Sequence, residues 1–317
     1  MRFLDRIDRK AIGELLARDE YLWLDLRDPG HDEAAALGEL FSFHPLALED
    51  MLKRNQRSKL EDYGDFMFLV YYAAGADEAR HGGVWTGIQL DEVHAFLSGG
   101  YLVTVHQSAC RALEEVRERL SAQAPRSEQF VVYRVLDGLT DTFFPVLDRI
   151  DGEIERLEND IFERPREEHL EQITELRRDL VSLRRVVTPQ RDLLARGIDD
   201  ILEIPGLEAD SRNYFRDVYD HAIRISDQID SYRDLLAGTR DAYLSVVSNR
   251  LNQITKQLTL VATVFLPLSF LVGFFGQNFK WLVQNISSEA DFWILGVGGA
   301  VISVVGLLVW FRRGSYL

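Results

Sequence analysis

Residues Phe270–Trp281 read FLVGFFGQNFKW, an apolar run that closes on Gly276-Gln277-Asn278 and resumes at Phe279. Two neutral amides at the tip of such a segment call for either a plain turn or a ligand. Outward from this stretch, the 23 residues from Gln257 to Phe279 carry no formal charge, and neither do the 20 from Phe292 to Phe311. As helices rising about 1.5 Å per residue, each spans roughly 30 Å, the hydrocarbon thickness of a bilayer. A buried core hairpin is the alternative, but two such runs joined by only the 12 residues KWLVQNISSEAD point to a membrane hairpin. Arg250 and Lys256 precede the first run, Arg312 and Arg313 follow the second, and the joining loop sets Lys280 against Glu289 and Asp291. The positive-inside rule then puts both termini in the cytoplasm and the loop outside, with Trp281, Trp293 and Trp310 at interface depth.

The chain has 317 residues, 51 acidic and 36 basic, for a net charge of −15. Beyond Arg250 lie only Lys256, Lys280, Arg312, Arg313, Glu289 and Asp291, so nearly all the negative charge belongs to the first 250 residues. Such a surface repels nucleic-acid phosphates. It suits a binder of cations, or simply keeps the protein soluble. The single cysteine, Cys110, excludes an internal disulfide framework and a cysteine-based metal site. MRFLDRIDRK lacks an apolar signal core, so the N-terminal part is expected to stay in the cytoplasm.

In the first hundred residues YLWLDL, FMFLVYYA, VWTGIQL, VHAFL and YLVTVH read as strands mixed with short helices. After His106 the pattern turns helical. Ile150, Ile154, Leu157 and Ile161 form one apolar stripe at helical spacing, and Pro165 ends that helix. A second helix is expected from about Glu167 to Leu202, broken by EIPGL. No further strong break occurs from about Asp210 to Pro267, so one long helix should run into the first span. Its length suggests a coiled stalk shared by several subunits. The expected organisation is an αβ domain at 1–106, a helical bundle at 107–206, a stalk continuing into the first membrane helix at 207–279, an external loop at 280–291, a second membrane helix at 292–311 and a tail at 312–317.

Two heptad rows of the first span collect small or polar side chains: Asn252, Thr259, Leu266 and Gly273, and Thr255, Ala262, Ser269 and Gly276. The other positions are bulky and apolar. Ordinary helix packing accounts for small residues. Polar groups at bilayer depth usually face a cavity or a bundle interior, which makes this stripe a candidate wall of an axial water-filled path. Leu266 and nearby Leu258 would then be apolar constrictions that gate by dewetting. Asn252 and Asn278 would offer rings of amide oxygens at the two ends, hard ligands suited to Mg²⁺ with its water shell.

Seven histidines are scattered without His-x-x-x-His pairing, so no dedicated Zn²⁺ site is expected. GVGGA lies in the second apolar run with no strand before it, which favours helix packing over a phosphate loop. Asn285-Ile286-Ser287 fits a glycosylation sequon, of little meaning if the protein is bacterial. No nucleophile–base grouping stands out, and no enzyme is expected.

YLSVVSNRLNQITKQLTLVATVFLPLSFLVGFFGQNF, Tyr243 to Phe279, resembles the signature of the CorA divalent-cation channels. FHPLALEDMLKRNQRSKLEDYGDFMF, VLDGLTDTFF and YFRDVYDHAIRISDQIDSYRD extend the likeness over most of the chain. The resemblance implies an α+β cytoplasmic domain of αβα layering, a long helical stalk and two transmembrane helices. It further implies a homopentameric funnel in the inner or plasma membrane, embedded in lipid, that takes up Mg²⁺. It makes Gly276, Gln277 and Asn278 the selectivity filter, and Asn252, Thr255, Leu258, Leu266 and Ser269 pore-lining. It makes Glu49, Asp50, Asp137 and Asp217 acids that bind regulatory Mg²⁺ between subunits and hold the closed state. Two departures stand out: Gln277 replaces the family's Met, and Lys280 follows the triplet closely. The zinc-transporting ZntB relatives also vary the middle residue. Transport of Zn²⁺, Co²⁺ or Ni²⁺, with or without proton coupling, is therefore the alternative function, and a non-conducting membrane-anchored assembly protein is a second one.

Overall fold

The computed structural model describes residues 1–76, 87–122, 128–203, 212–278, 280–286 and 288–313. They form two compact units, Met1–Tyr243 and Leu244–Leu317.

The first unit is built on a six-stranded sheet of order β1-β2-β6-β5-β4-β3. Its strands are β1 (Arg2–Leu4), β2 (Leu22–Arg27), β3 (Lys59–Asp62), β4 (Met67–Ala76), β5 (Ile88–Leu97) and β6 (Tyr101–His106). β1, β2 and β6 run parallel, and β6, β5, β4 and β3 alternate as antiparallel neighbours. Between them lie α1 (Arg9–Ala17), α2 (His31–Phe41) and α3 (Pro45–Leu52). The start of α1 is fixed by Asp8, whose carboxylate accepts from the backbone N–H groups of Lys10 and Ala11 at 3.1 and 3.0 Å. At α3, Pro45 occupies the first turn and His44 Nδ1 accepts from Leu46 N–H at 3.2 Å.

The helical part of this unit follows: α4 (Arg111–Ala122), α5 (Glu128–Asp141), α6 (Phe143–Glu163), α7 (Glu167–Leu202) and α8 (Arg212–Phe275). Alternate strand residues divide between two cores, as a pleated sheet requires. Trp23, Leu69, Tyr71, Val93, Ala95 and Leu102 pack with Leu113, Val116, Leu136, Leu194 and Phe215 from the later helices. On the other set of positions, Phe96 stacks on Phe43 at 4.0 Å between ring centroids, and Phe41 meets Tyr101 at 4.7 Å. Each fully buried side chain of this size contributes about 1.5–3 kcal/mol. The layering is αβα.

Ile150, Ile154, Leu157 and Ile161 are all buried on α6, and α7 has the bounds that its periodicity dictates. Two details differ from the sequence reading. Ile88-Gln89-Leu90 of VWTGIQL and the whole of VHAFL belong to one strand, β5, because Asp91 and Glu92 continue the pairing with β4; Val84–Thr86 lie outside the described residues. The short edge strands β1 and β3 carry too little β-branched content to be seen in sequence. Most of EIPGL, Phe279, Ser287 of the sequon and the end of the tail also lie outside the described residues.

In the second unit, the C-terminal part of α8 is followed by α9 (Lys280–Asn285), a single turn α10 (Glu289–Asp291), a π-helical stretch at Phe292–Gly298 and α11 (Gly299–Arg313). The loop expected at 280–291 thus contains helix. Two helical segments, Arg212–Phe275 and Glu289–Arg313, are long and apolar enough to cross a membrane, and no residue of either apolar window is buried. Leu266, for example, is 72% exposed. That excludes the core of a soluble protein for these windows and calls for a bilayer or neighbouring chains as their cover.

Candidate functional site

At the end of the first apolar segment, Gly276 closes the helix by donating its N–H to Val272 O at 2.9 Å. A Cβ there would stand 3.0 Å from that same carbonyl oxygen, so any other residue would need the turn to give by a few tenths of an ångström. Gln277 and Asn278 follow outside regular structure, exposed, and neither side-chain amide makes a hydrogen bond among the described residues. These amides are therefore open to a ligand.

Asn252, Thr255, Leu258, Thr259, Ala262, Leu266, Ser269 and Gly273 lie on α8, all exposed. Thr259 Oγ1 donates to Thr255 O at 2.8 Å, and Thr263 Oγ1 to Thr259 O at 2.7 Å. Both hydroxyl protons are spent on the helix backbone, so what these threonines present outward is oxygen lone pairs, an acceptor surface suited to cations. Pro267 interrupts the same helix, and lacking an N–H it leaves the Thr263 carbonyl without its helical donor.

The four candidate regulatory acids fall into two groups in the first unit. Glu49 and Asp50 lie on α3, where Lys53 Nζ reaches them at 2.8 and 3.2 Å and Lys59 Nζ reaches Asp50 at 2.6 Å. The hydrogen bond from Lys59 holds the Asp50 carboxyl below its usual range against the opposing effect of burial. Asp137 on α5 and Asp217 on α8 converge instead on His221, each 3.9 Å from a ring nitrogen. Asp141 joins them, its Oδ1 3.1 Å from His221 Nδ1, though that buried nitrogen makes no aligned hydrogen bond. Burial first, and then the Asp141 charge, push the Asp137 carboxyl up, with His221 and Arg134 only partly offsetting them. Asp137, Asp141 and His221 offer three ligand atoms within 4.8 Å of one another, the kind of set that holds a metal ion.

Sequence reading missed Asp141 and His221. His221 does not stand alone as the histidine spacing suggested: it is the i+4 neighbour of Asp217, as Asp141 is of Asp137, and the helix–helix pairing brings the two pairs together. The i,i+4 spacing was a usable signal; the apposition of α5 and α8 was not. Two carboxylates and an imidazole suit Co²⁺ or Zn²⁺ directly. They suit Mg²⁺ when the ion keeps several of its waters.

The family model for the CorA-like Mg²⁺ transporter protein matches residues 18–313. The chain is 33% identical over 290 residues to the cobalt/magnesium transport protein CorA of Thermotoga maritima, a match covering 90% of this chain and 80% of that protein. It is 26% identical over 300 residues to the zinc transport protein ZntB of Yersinia enterocolitica, covering 93% and 88% respectively. The solved structure of the CorA magnesium transporter from Methanocaldococcus jannaschii superposes with a TM-score of 0.79 over 93% of this chain and 91% of that one, at 24% identity, and so has the same fold.

Proposed function

The chain belongs to the CorA-like Mg²⁺ transporter family, and from that premise we propose that it carries divalent cations, Mg²⁺ foremost, into the cell across the inner (plasma) membrane as a homopentamer with both termini cytoplasmic. The observation that carries this reading is the end of the first apolar segment, where Gly276 stops the helix and leaves the Gln277 and Asn278 amides unpaired at its tip. A ring of neutral amide oxygens holds a hydrated divalent ion through its water shell without the trapping that an acidic ring would cause. The ion then passes the acceptor stripe from Ser269 and Thr259 to Asn252, through constrictions at Leu266 and Leu258 that conduct only when wetted. The membrane potential drives entry, with about 4.6 kcal/mol per 100 mV for a doubly charged ion.

Regulation follows from the cytoplasmic acids. A divalent ion shared between Glu49 and Asp50 of one subunit and Asp137 and Asp217 of its neighbour cancels their repulsion and holds the closed state. When cytoplasmic Mg²⁺ falls, the uncompensated charges favour opening. The chain has no enzymatic role in this reading. The resident and transported ion is Mg²⁺, with Zn²⁺, Co²⁺ or Ni²⁺ as the alternative cargo. His221 in the acidic cluster and Gln277 in the triplet favour that second reading.

Uptake by proteoliposomes tests both. With an inside-negative potential and no pH gradient, Mg²⁺ influx is expected to exceed Zn²⁺ influx. Zn²⁺ uptake that requires a pH gradient, with Mg²⁺ uptake absent, would establish the alternative.

A further inference from the structure

A cleft of about 930 Å³ opens in the first unit between the segment after α3, the β5 strand and the middle of α7. Its volume lies within the range of small-molecule sites. Arg54 and Arg57 line one wall and Arg184 and Arg185 the other. Arg184 is paired with Asp230 at 3.2 Å, but Arg54, Arg57 and Arg185 have no ion pair among the described residues.

The carboxylates nearby are already committed. Glu92 accepts from the backbone N–H groups of Asn55 and Gln56 at 2.6 and 3.1 Å and pairs with His94 at 2.9 Å. Asp91 accepts from Ser108 Oγ and from Gln89 Nε2 at 2.8 Å. Ser58 also lines the cleft; it is 7% exposed, and its buried hydroxyl has no hydrogen-bond partner among the described residues. Arg54, Arg57 and Arg185 face two carboxylates, Asp91 and Glu92, in the same lining, so the cleft keeps an excess of positive charge in a chain of net charge −15. Guanidinium is the side chain best matched to phosphate oxygens. The remaining wall, Leu90, Val181 and Val186, is apolar and offers a surface to a base or another flat group.

We propose that this cleft binds a phosphate-bearing anion, of which a nucleoside polyphosphate fills the volume and uses both the basic and the apolar walls. The segment that supplies Arg54 and Arg57 follows directly on α3, which carries Glu49 and Asp50. Gln56 Nε2 also donates to the Asp50 carbonyl, so occupancy of the cleft bears on the position of those two acids. The site is separate from the ion path and stands whichever cation is carried.

Equilibrium binding of ATP and, separately, of inorganic pyrophosphate to the detergent-purified full chain tests the proposal. Both are measured in excess chelator, so that no bound metal contributes. Saturable ATP binding is expected, weakened about tenfold or more by Arg57→Glu and by Arg185→Glu and unchanged by Arg177→Glu elsewhere on α7. Pyrophosphate binding as tight as ATP would assign recognition to the phosphates alone; tighter ATP binding, reduced by Val181→Asp, would assign part of it to the apolar wall. Either result supports the site. No saturable binding of either anion, or binding that both cleft charge reversals leave intact, overturns it. Circular dichroism of each variant shows that it is folded.

Discussion

Asp137 and Asp50 are both carboxylates at candidate regulatory positions, yet their surroundings shift them in opposite directions, and the signs of their effects differ. Burial raises the Asp137 pKa, so the folded chain holds that proton more readily than the unfolded one. Stability is therefore lost as pH rises from the ordinary carboxylate range through the raised value. Asp137→Asn is expected to raise the melting temperature of the metal-free protein at neutral pH by about 2 °C, the effect of roughly 0.5–1 kcal/mol in a unit of this size. The same change should abolish most of the stabilisation produced by millimolar Mg²⁺ or Co²⁺. Thermal unfolding in chelator and in each ion reads both, and a variant that melts like wild type in all three conditions would contradict the cluster. Lys59 lowers the Asp50 pKa, and that contribution is present above the ordinary carboxylate range and disappears as pH falls through the lowered value. Lys59→Met frees Asp50 for an ion and should lower the Mg²⁺ concentration for half-inhibition of transport by roughly 2–5-fold, the scale of a partly exposed ion pair. An unmoved or rising half-inhibition value speaks against Asp50 as a ligand. The acids at 49, 50, 137 and 217 were recognisable from the sequence only through resemblance. Asp141 and His221 were not, because a helical i,i+4 pair becomes a ligand set only when a second helix meets it.

At the scale of elements, two glycines show where helix packing leaves no room. A Cβ on Gly138 of α5 would meet Val116 Cγ2 of α4 at 2.6 Å, and one on Gly197 of α7 would meet Leu60 Cδ2 of β3 at 2.7 Å. Val116 is itself 4% exposed and cannot swing away, so Gly138→Ala must part α4 from α5. The expected loss is about 1–3 kcal/mol. Gly152→Ala in α6 meets nothing within 4 Å and should be neutral or stabilise by up to about 1 kcal/mol. Denaturant unfolding of the two variants side by side checks the contrast; equal stabilities would mean that α4 and α5 are not packed this tightly. Elements that carry a full amphipathic period, such as α6 with Ile150, Ile154, Leu157 and Ile161, are legible in the amino-acid sequence because the period itself marks the buried face. β5 reads as two strands in sequence because Asp91 and Glu92 look like a turn, and their carboxylates accept from Ser108 Oγ and Asn55 N–H, partners that are distant in sequence and that only the fold supplies. β1 and β3 are invisible there because three or four residues at a sheet edge carry no period to read.

For the whole molecule, the apolar segments at 257–275 and 292–311 decide the architecture from sequence alone: among the described residues, no residue of either apolar window is buried. Their exposure calls for a bilayer or neighbouring chains as cover, and the proposed homo-oligomer supplies the second. Neutralising Asp50 and Asp217 together should weaken inhibition of transport by cytoplasmic-side Mg²⁺ while leaving assembly intact, which flux and sedimentation of the same preparation measure together. Identical inhibition curves for variant and wild type would remove these acids from the gate. The most direct test of cation transport through the Gly276-Gln277-Asn278 end is Mg²⁺ influx into proteoliposomes, comparing wild type with Asn278→Ala at equal protein and equal membrane potential. Influx is expected in wild type and lost, or stripped of its preference for divalent over monovalent ions, in the variant. Wild-type vesicles that take up no divalent ion, or an Asn278→Ala protein with unchanged flux and selectivity, would contradict it.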